Sequence, residues 1–275
     1  MYFLPLYPLQ AIRKDERKGK RKKGEKESDV KMDNKIVEAI KKSVEKQMNE
    51  EGFADNLLYD GCKKAVNKVN FCEVKESDVK NPIKTFLINW GLMKRVLAKP
   101  YIPNDWESQI ANKIQKNCDR FEEFRALRLE DCDIERSKSE IEDCYETFMQ
   151  IVRYTATSKI LHLLCYNFFP LWDVAIRREA NSNFKNRIGR INDSPGGYFN
   201  FMLANQIILR KYDKILSFLS RRYNKPKLRI LDMFLFDITR PESGTIEFFS
   251  EIAKSLNFTA EHTENAKAPE STNND

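Results

Sequence analysis

Apolar side chains recur three and four residues apart through almost the whole body of this chain. Helix-start signals punctuate the pattern at short intervals. Ile36, Val37, Ile40, Val44 and Met48 follow Asp33-Asn34, the spacing of one apolar helical face behind a capping pair. Leu57, Leu58, Cys62, Ala65 and Val69 continue it. Asn81-Pro82 opens a run through Ile83, Phe86, Leu87, Trp90, Met93 and Leu97, which Pro100 and Pro103 end. Asn104 with Glu107, and Ser139 with Glu142, have the spacing of capping boxes. Ser194-Pro195 reads as an N-cap followed by proline at the first helical position, opening a helix that runs to about Tyr223. Runs over 228–238 and 245–256 complete the series; residues 68–74 (VNFCEVK) fit a short strand or a loop. The pattern predicts an all-α protein of roughly ten helices: a single multi-helix domain, or two helical lobes with a cleft between them.

Composition narrows the function classes. Only 9 of 275 residues are Gly, against a usual share of about 7%. Neither G-x-G-x-x-G nor a Walker-type loop is present, so dinucleotide and nucleoside-triphosphate chemistry have no support and no nucleotide cofactor is expected. No stretch approaches the ~18 apolar residues of a membrane-spanning helix. The apolar opening MYFLPLYPLQ precedes its basic run, the reverse of a secretory signal. An intracellular, cytoplasmic protein without a membrane partner is therefore expected.

Charge divides the chain in three. Of the net +7, residues 1–31 hold +5, residues 259–275 hold −3, and residues 32–258 hold +5. The first segment reads as a disordered basic extension, with Met1 and Met32 both open as the start. Residues 32–258 read as the all-helical domain, and 259–275 as a disordered polar tail. The basic balance of the body is compatible with phosphate binding.

Six cysteines (Cys62, Cys72, Cys118, Cys132, Cys144 and Cys165) include no C-x-x-C, and the two histidines are His162 and His262. No metal site is expected, and the cysteines read as reduced and mostly buried.

Residues 153–178 (RYTATSKILHLLCYNFFPLWDVAIRR) concentrate the chemistry. On a helix, Ala156, Ile160, Leu163 and Leu164 form an apolar stripe, with Thr155, Lys159 and His162 on its polar flank. Asn167 to Pro170 breaks the chain. Asp173 then falls in the first turn of the next helix, which brings a lysine helix and an aspartate helix start together across one loop.

Ser158, Lys159, Leu161 and His162, followed by Phe169, Pro170 and Asp173, resemble the helix-hairpin-helix DNA glycosylase superfamily, in particular its 8-oxoguanine glycosylase-like branch. The run FLINWGLMKR (86–95) and the turn from Ser194 to Phe199 are similar to further signatures of that branch. The resemblance implies two helical lobes, a cleft that faces double-stranded DNA, and a base flipped into it. It implies a carboxylate that stabilises charge at the sugar carbon, best matched by Asp173. In the bifunctional members it also implies a lysine that forms a Schiff base, for which Lys159 is the nearest residue. No cofactor is implied. The chain departs from the pattern in two ways: no Gly-rich hairpin precedes the helix, where Met149 to Arg153 stand, and Tyr154 occupies the usual lysine position, five residues before Lys159.

His162, Trp172, Arg177, Arg178 and Trp90 are the candidate substrate-binding residues: imidazole, two rings able to stack on a base, and two guanidinium groups able to hold phosphate. Each has a plain structural reading beside the functional one. Lys159 reads most simply as a solvent lysine flanking the apolar stripe, and Asp173 as a first-turn carboxylate or an i, i+4 partner of Arg177. His162 reads as a hydrogen-bonded flank residue, and the tryptophans as core. The expected function is base excision by an AP lyase-like glycosylase. The alternative is a non-catalytic helical binding or protein-interaction module.

Overall fold

A computed structural model describes residues 23–49, 53–240 and 249–250. Among them the regular structure is helical throughout, with no strand, in agreement with the all-α expectation. Eleven α-helices follow in order: α1 (Lys23–Met48), α2 (Phe53–Val66), α3 (Glu76–Thr85), α4 (Lys94–Leu97), α5 (Trp106–Lys116), α6 (Cys118–Ala126), α7 (Lys138–Leu164), α8 (Val174–Ile188), α9 (Pro195–Lys211), α10 (Asp213–Tyr223) and α11 (Lys227–Ile238). The expectations for residues 1–22 and 259–275, and the helix over 245–256 apart from Phe249 and Ser250, lie outside the described residues. Helix α1 begins upstream of Met32, so residue 31 marks no element boundary.

Helix α7 organises the rest. Its first half buries Ile141, Cys144, Tyr145, Phe148 and Val152 along one face. Arg153 then leaves helical geometry, with φ 67° and ψ 167°. Beyond it the helix is buried nearly all round: the expected stripe of Ala156, Ile160, Leu163 and Leu164 is inside, and so are Thr157, Ser158, Leu161 and His162. A helix apolar on one side and packed on all sides must satisfy its polar groups internally. Thr157 Oγ1 donates to Arg153 O at 2.8 Å, and Ser158 Oγ donates to Trp172 O at 3.2 Å. Helix α7 packs on α9, α5 and α2, while α1 closes against α11 and α10.

Several helix boundaries differ from the sequence expectations. Ser137, not Ser139, precedes α7. Asn104 and Glu107 form no capping box; Glu107 is buried and accepts from Lys84 Nζ at 2.6 Å. Pro82 sits inside α3 rather than at its start. The run from Ser194 is two helices, broken at Tyr212. Residues 71–73 form a 3-10 turn, not a strand. Ser194 itself behaves as expected: its Oγ accepts from Gly197 N at 3.1 Å.

The reduced-cysteine expectation is overturned for one pair. Cys72 and Cys118 form a disulfide with their Cα atoms 5.0 Å apart, joining the 3-10 turn to the start of α6. The two are separated by 46 positions in the chain, a pairing that spacing alone does not reveal. The other four cysteines are free thiols, three of them buried.

Candidate functional site

The segment between α7 and α8 turns the chain back on itself. Phe168 N donates to Cys165 O at 2.9 Å, closing the turn. The His162 ring nitrogen Nδ1 donates to Phe169 O at 2.8 Å, and Tyr198 OH donates to Pro170 O at 2.8 Å. The chain then reaches Asp173, which is the N-cap of α8 rather than a first-turn residue; its Oδ1 accepts from Ile176 N at 2.8 Å. The Ser158–Trp172 hydrogen bond joins the residue before Lys159 to the residue before Asp173. The amine and the carboxylate are thereby held on the same side of the molecule.

Both face one cavity of about 930 Å³, and Trp90, Trp172, Arg153, Arg229, Asp232 and Arg240 are also among its lining residues. Lys159 Nζ donates to Gly91 O at 3.0 Å and lies 5.3 Å from the centre of the Trp90 ring. Glycine at 91 keeps clear of the Leu87 carbonyl oxygen first and of the Lys159 side chain second. A Cβ there would sit 2.8 Å from Leu87 O and 3.2 Å from Lys159 Nζ. Burial lowers the Lys159 amine to about 8, with Arg240 and Arg229 adding to the effect and Asp173 and Asp232 opposing it. A lysine in this state carries a usable fraction of neutral amine near neutral pH.

The cavity continues into a buried ionic pair. Within the largely apolar middle of α11, Arg229 Nη1 donates to Asp232 Oδ2. The guanidinium lies against the adjacent rings of Tyr59 and Trp90, 4.8 and 5.0 Å from their centres. Trp90 in turn stacks on Phe86, with centroids 4.7 Å apart and planes 8° off parallel. Burial raises the Asp232 carboxyl to about 6, partly offset by Arg229. Of the six large apolar side chains reported as exposed among the described residues, Leu92, Tyr101, Val174 and Phe236 border this cavity. Leu92 is 82% exposed and has a positive φ of 52°.

Lys159, Asp173, Trp90 and Trp172 thus come together. His162 does not join them. It is fully buried, its Nε2 lies 2.7 Å from Tyr59 OH, and burial lowers its pKa to about 3. With Nδ1 donating to Phe169 O, Nε2 is the acceptor for Tyr59. The imidazole is neutral and ties α2 to the α7–α8 turn. Arg177 pairs with Asp193, not Asp173, and lies 4.6 Å from the centre of the Tyr154 ring. Arg177 and Arg178 line a separate, shallower hollow of about 410 Å³ that shares Val174 with the cavity.

Arg229 and Asp232 were not among the sequence candidates. Their signal was present: two opposite charges three residues apart inside the apolar run KLRILDMFLFDI. Among the described residues the one potential metal-ligating group is Cys72, Cys118 and Asp119, whose two thiols are joined in the disulfide. No helix among the described residues is long and apolar enough to cross a membrane. No family model matches the chain, and no curated protein or solved structure matches it.

Proposed function

We propose that this protein binds duplex DNA and excises a base flipped into the 930 Å³ cavity, with Lys159 as the amine nucleophile and Asp173 as the carboxylate beside the sugar carbon. One observation carries the reading: a lysine depressed to about 8 and a helix-capping aspartate line the same hollow. An amine in this state can attack C1′ of a nucleotide, and a carboxylate next to it stabilises positive charge developing on the sugar. Trp90 and Trp172 offer aromatic surface for a base. Lys46, Arg153 and Arg240 bring basic side chains to the cavity, and the apolar rim of Leu92, Tyr101, Val174 and Phe236 suits contact with an opened base stack.

A second reading, a helical module that binds DNA without releasing a base, rests on α7. Within Lys138–Leu164 two helical segments meet at Arg153, and the residues there, Met149 to Arg153, include no glycine, so the junction lacks the Gly-rich backbone that would grip a phosphate. One experiment separates the two. Duplexes each carrying a single 8-oxoguanine, uracil, hypoxanthine or 3-methyladenine are incubated with wild type, Lys159→Gln and Asp173→Asn. Base release by wild type, lost in both variants, supports excision. Salt-sensitive binding without release supports the binding module, and the absence of both refutes any role on DNA.

A further inference from the structure

Asp232 is a carboxylate that the fold has no evident need for. It is 6% exposed, its partner Arg229 is 5% exposed, and the rest of α11 is largely apolar. Burying an ion pair costs about as much as the pair returns, and apolar residues of similar volume commonly serve stability as well or better. Both residues nonetheless line the cavity that holds Lys159 and Asp173. Oδ2 of Asp232 is taken by Arg229 Nη1, and Oδ1 makes no hydrogen bond among the described residues. The rings of Tyr59 and Trp90 both pack against the Arg229 guanidinium. The two carboxylates also differ in setting. Asp173 is committed to the positive end of α8 through Ile176 N, whereas Asp232 is enclosed, and burial lifts its carboxyl to about 6. Two acids held in environments this different are suited to different tasks, one to carry charge and one to carry a proton.

We infer that Asp232 is a second catalytic carboxylate of this cavity, accepting a proton from the Lys159 ammonium and delivering it to the departing base. The inference rests on the excision reading above. The Lys159 ammonium, bonded to Gly91 O in this structure, first swings to Asp232 and hands over its proton, leaving Lys159 as a neutral amine and Asp232 as a carboxylic acid. The amine then forms its bond to C1′ as the bond from C1′ to the base nitrogen breaks. The electron pair of the broken bond leaves with the base, which takes the Asp232 proton. The products are neutral base, carboxylate and cationic lysine adduct, so charge and protons balance without a further reactant. The groups that bear on Asp232 are Arg229 on its own helix, Lys159 on α7, Asp173 at the head of α8 and Tyr59 on α2. Lys46 and Arg240 line the same cavity.

The test compares wild type with Asp232→Asn on two substrates. On a modified-base duplex that wild type processes, Asp232→Asn is expected to release base about 100-fold more slowly at neutral pH, the usual weight of a general acid. On a duplex with a preformed abasic site no base departs. At about pH 9, above the Lys159 value of about 8, the amine also needs no acceptor. Borohydride trapping by Asp232→Asn is therefore expected to persist there. Base release at the wild-type rate overturns the inference. If Asp232→Asn loses both activities, Asp232→Glu decides: recovered base release supports the proton relay, and loss of both in this variant too makes Asp232 structural and overturns it. Failure of wild type on every modified-base duplex instead overturns the excision reading itself.

Discussion

Replacing His162 with glutamine should change how the fold responds to acid. The imidazole is fully buried, and its pKa is lowered from 6.5 to about 3, chiefly by burial. The unfolded chain therefore binds a proton between about pH 6.5 and pH 3 that the folded chain refuses, and stability falls as the pH drops through that window. Each pH unit corresponds to about 1.4 kcal/mol, so this one residue withdraws about 5 kcal/mol by pH 3. Asp232 acts in the opposite sense. Its raised carboxyl keeps a proton in the folded state between about pH 6 and the unfolded carboxylate range, so acid favours the fold there. The wild-type curve alone mixes the two; the difference between wild type and His162→Gln isolates the imidazole. Urea unfolding at several pH values from about 7 to about 4 measures both slopes. The expected result is a stability–pH slope smaller by one proton in the variant. Parallel slopes would mean that His162 is not held neutral in the core.

Gly91→Ala would put a Cβ 2.8 Å from the Leu87 carbonyl oxygen, a backbone atom with little room to move, and 3.1 Å from Lys159 Cδ, so residue 91 must shift and carry its carbonyl oxygen away from the Lys159 amine; borohydride trapping on abasic duplex should fall at least tenfold, on the order of one lost charge-assisted hydrogen bond, while circular dichroism stays helical. Asp173→Ala removes the α8 N-cap and should cost about 1 kcal/mol in denaturant unfolding. Reducing Cys72–Cys118, whose half-cystines lie 46 positions apart, frees a loop worth up to about 4 kcal/mol, so a reducing agent should lower the thermal midpoint of wild type and leave a Cys72→Ser, Cys118→Ser double variant unmoved.

Much of the helical architecture was legible because apolar periodicity and capping chemistry are local. Ser194 caps α9 and Asp173 stands at the start of α8 for reasons visible within four residues. Misplaced boundaries arose where tertiary partners took over a local signal. Glu107 looked like half of a capping box, yet it pairs with Lys84, which is 23 positions away. His162 looked like a flank residue, since an amphipathic stripe implies a wet opposite face. That face is covered by α2 and by the α7–α8 turn, and Tyr59 and Phe169 satisfy the ring.

The candidate site was legible in part for the same reason. Lys159 and Asp173 are linked by one short connection, so their meeting followed from local chain reversal. Arg229 and Asp232 join them from α11, and Trp90 and Gly91 come from the bend after α3. No sequence spacing encodes those approaches. Glycine at 91 acquires its meaning only once the Leu87 carbonyl oxygen and the Lys159 side chain are both seen against it.

The most direct measurement is chemical mapping of the protein–DNA adduct. Wild-type protein is reduced with borohydride on a duplex carrying an abasic site, digested, and the peptide bearing the sugar remnant sequenced by mass spectrometry. Attachment at Lys159, with a yield that rises with pH through about 8, is the expected result. A remnant on any other lysine, or no adduct at all, contradicts the assignment of the cavity to base excision.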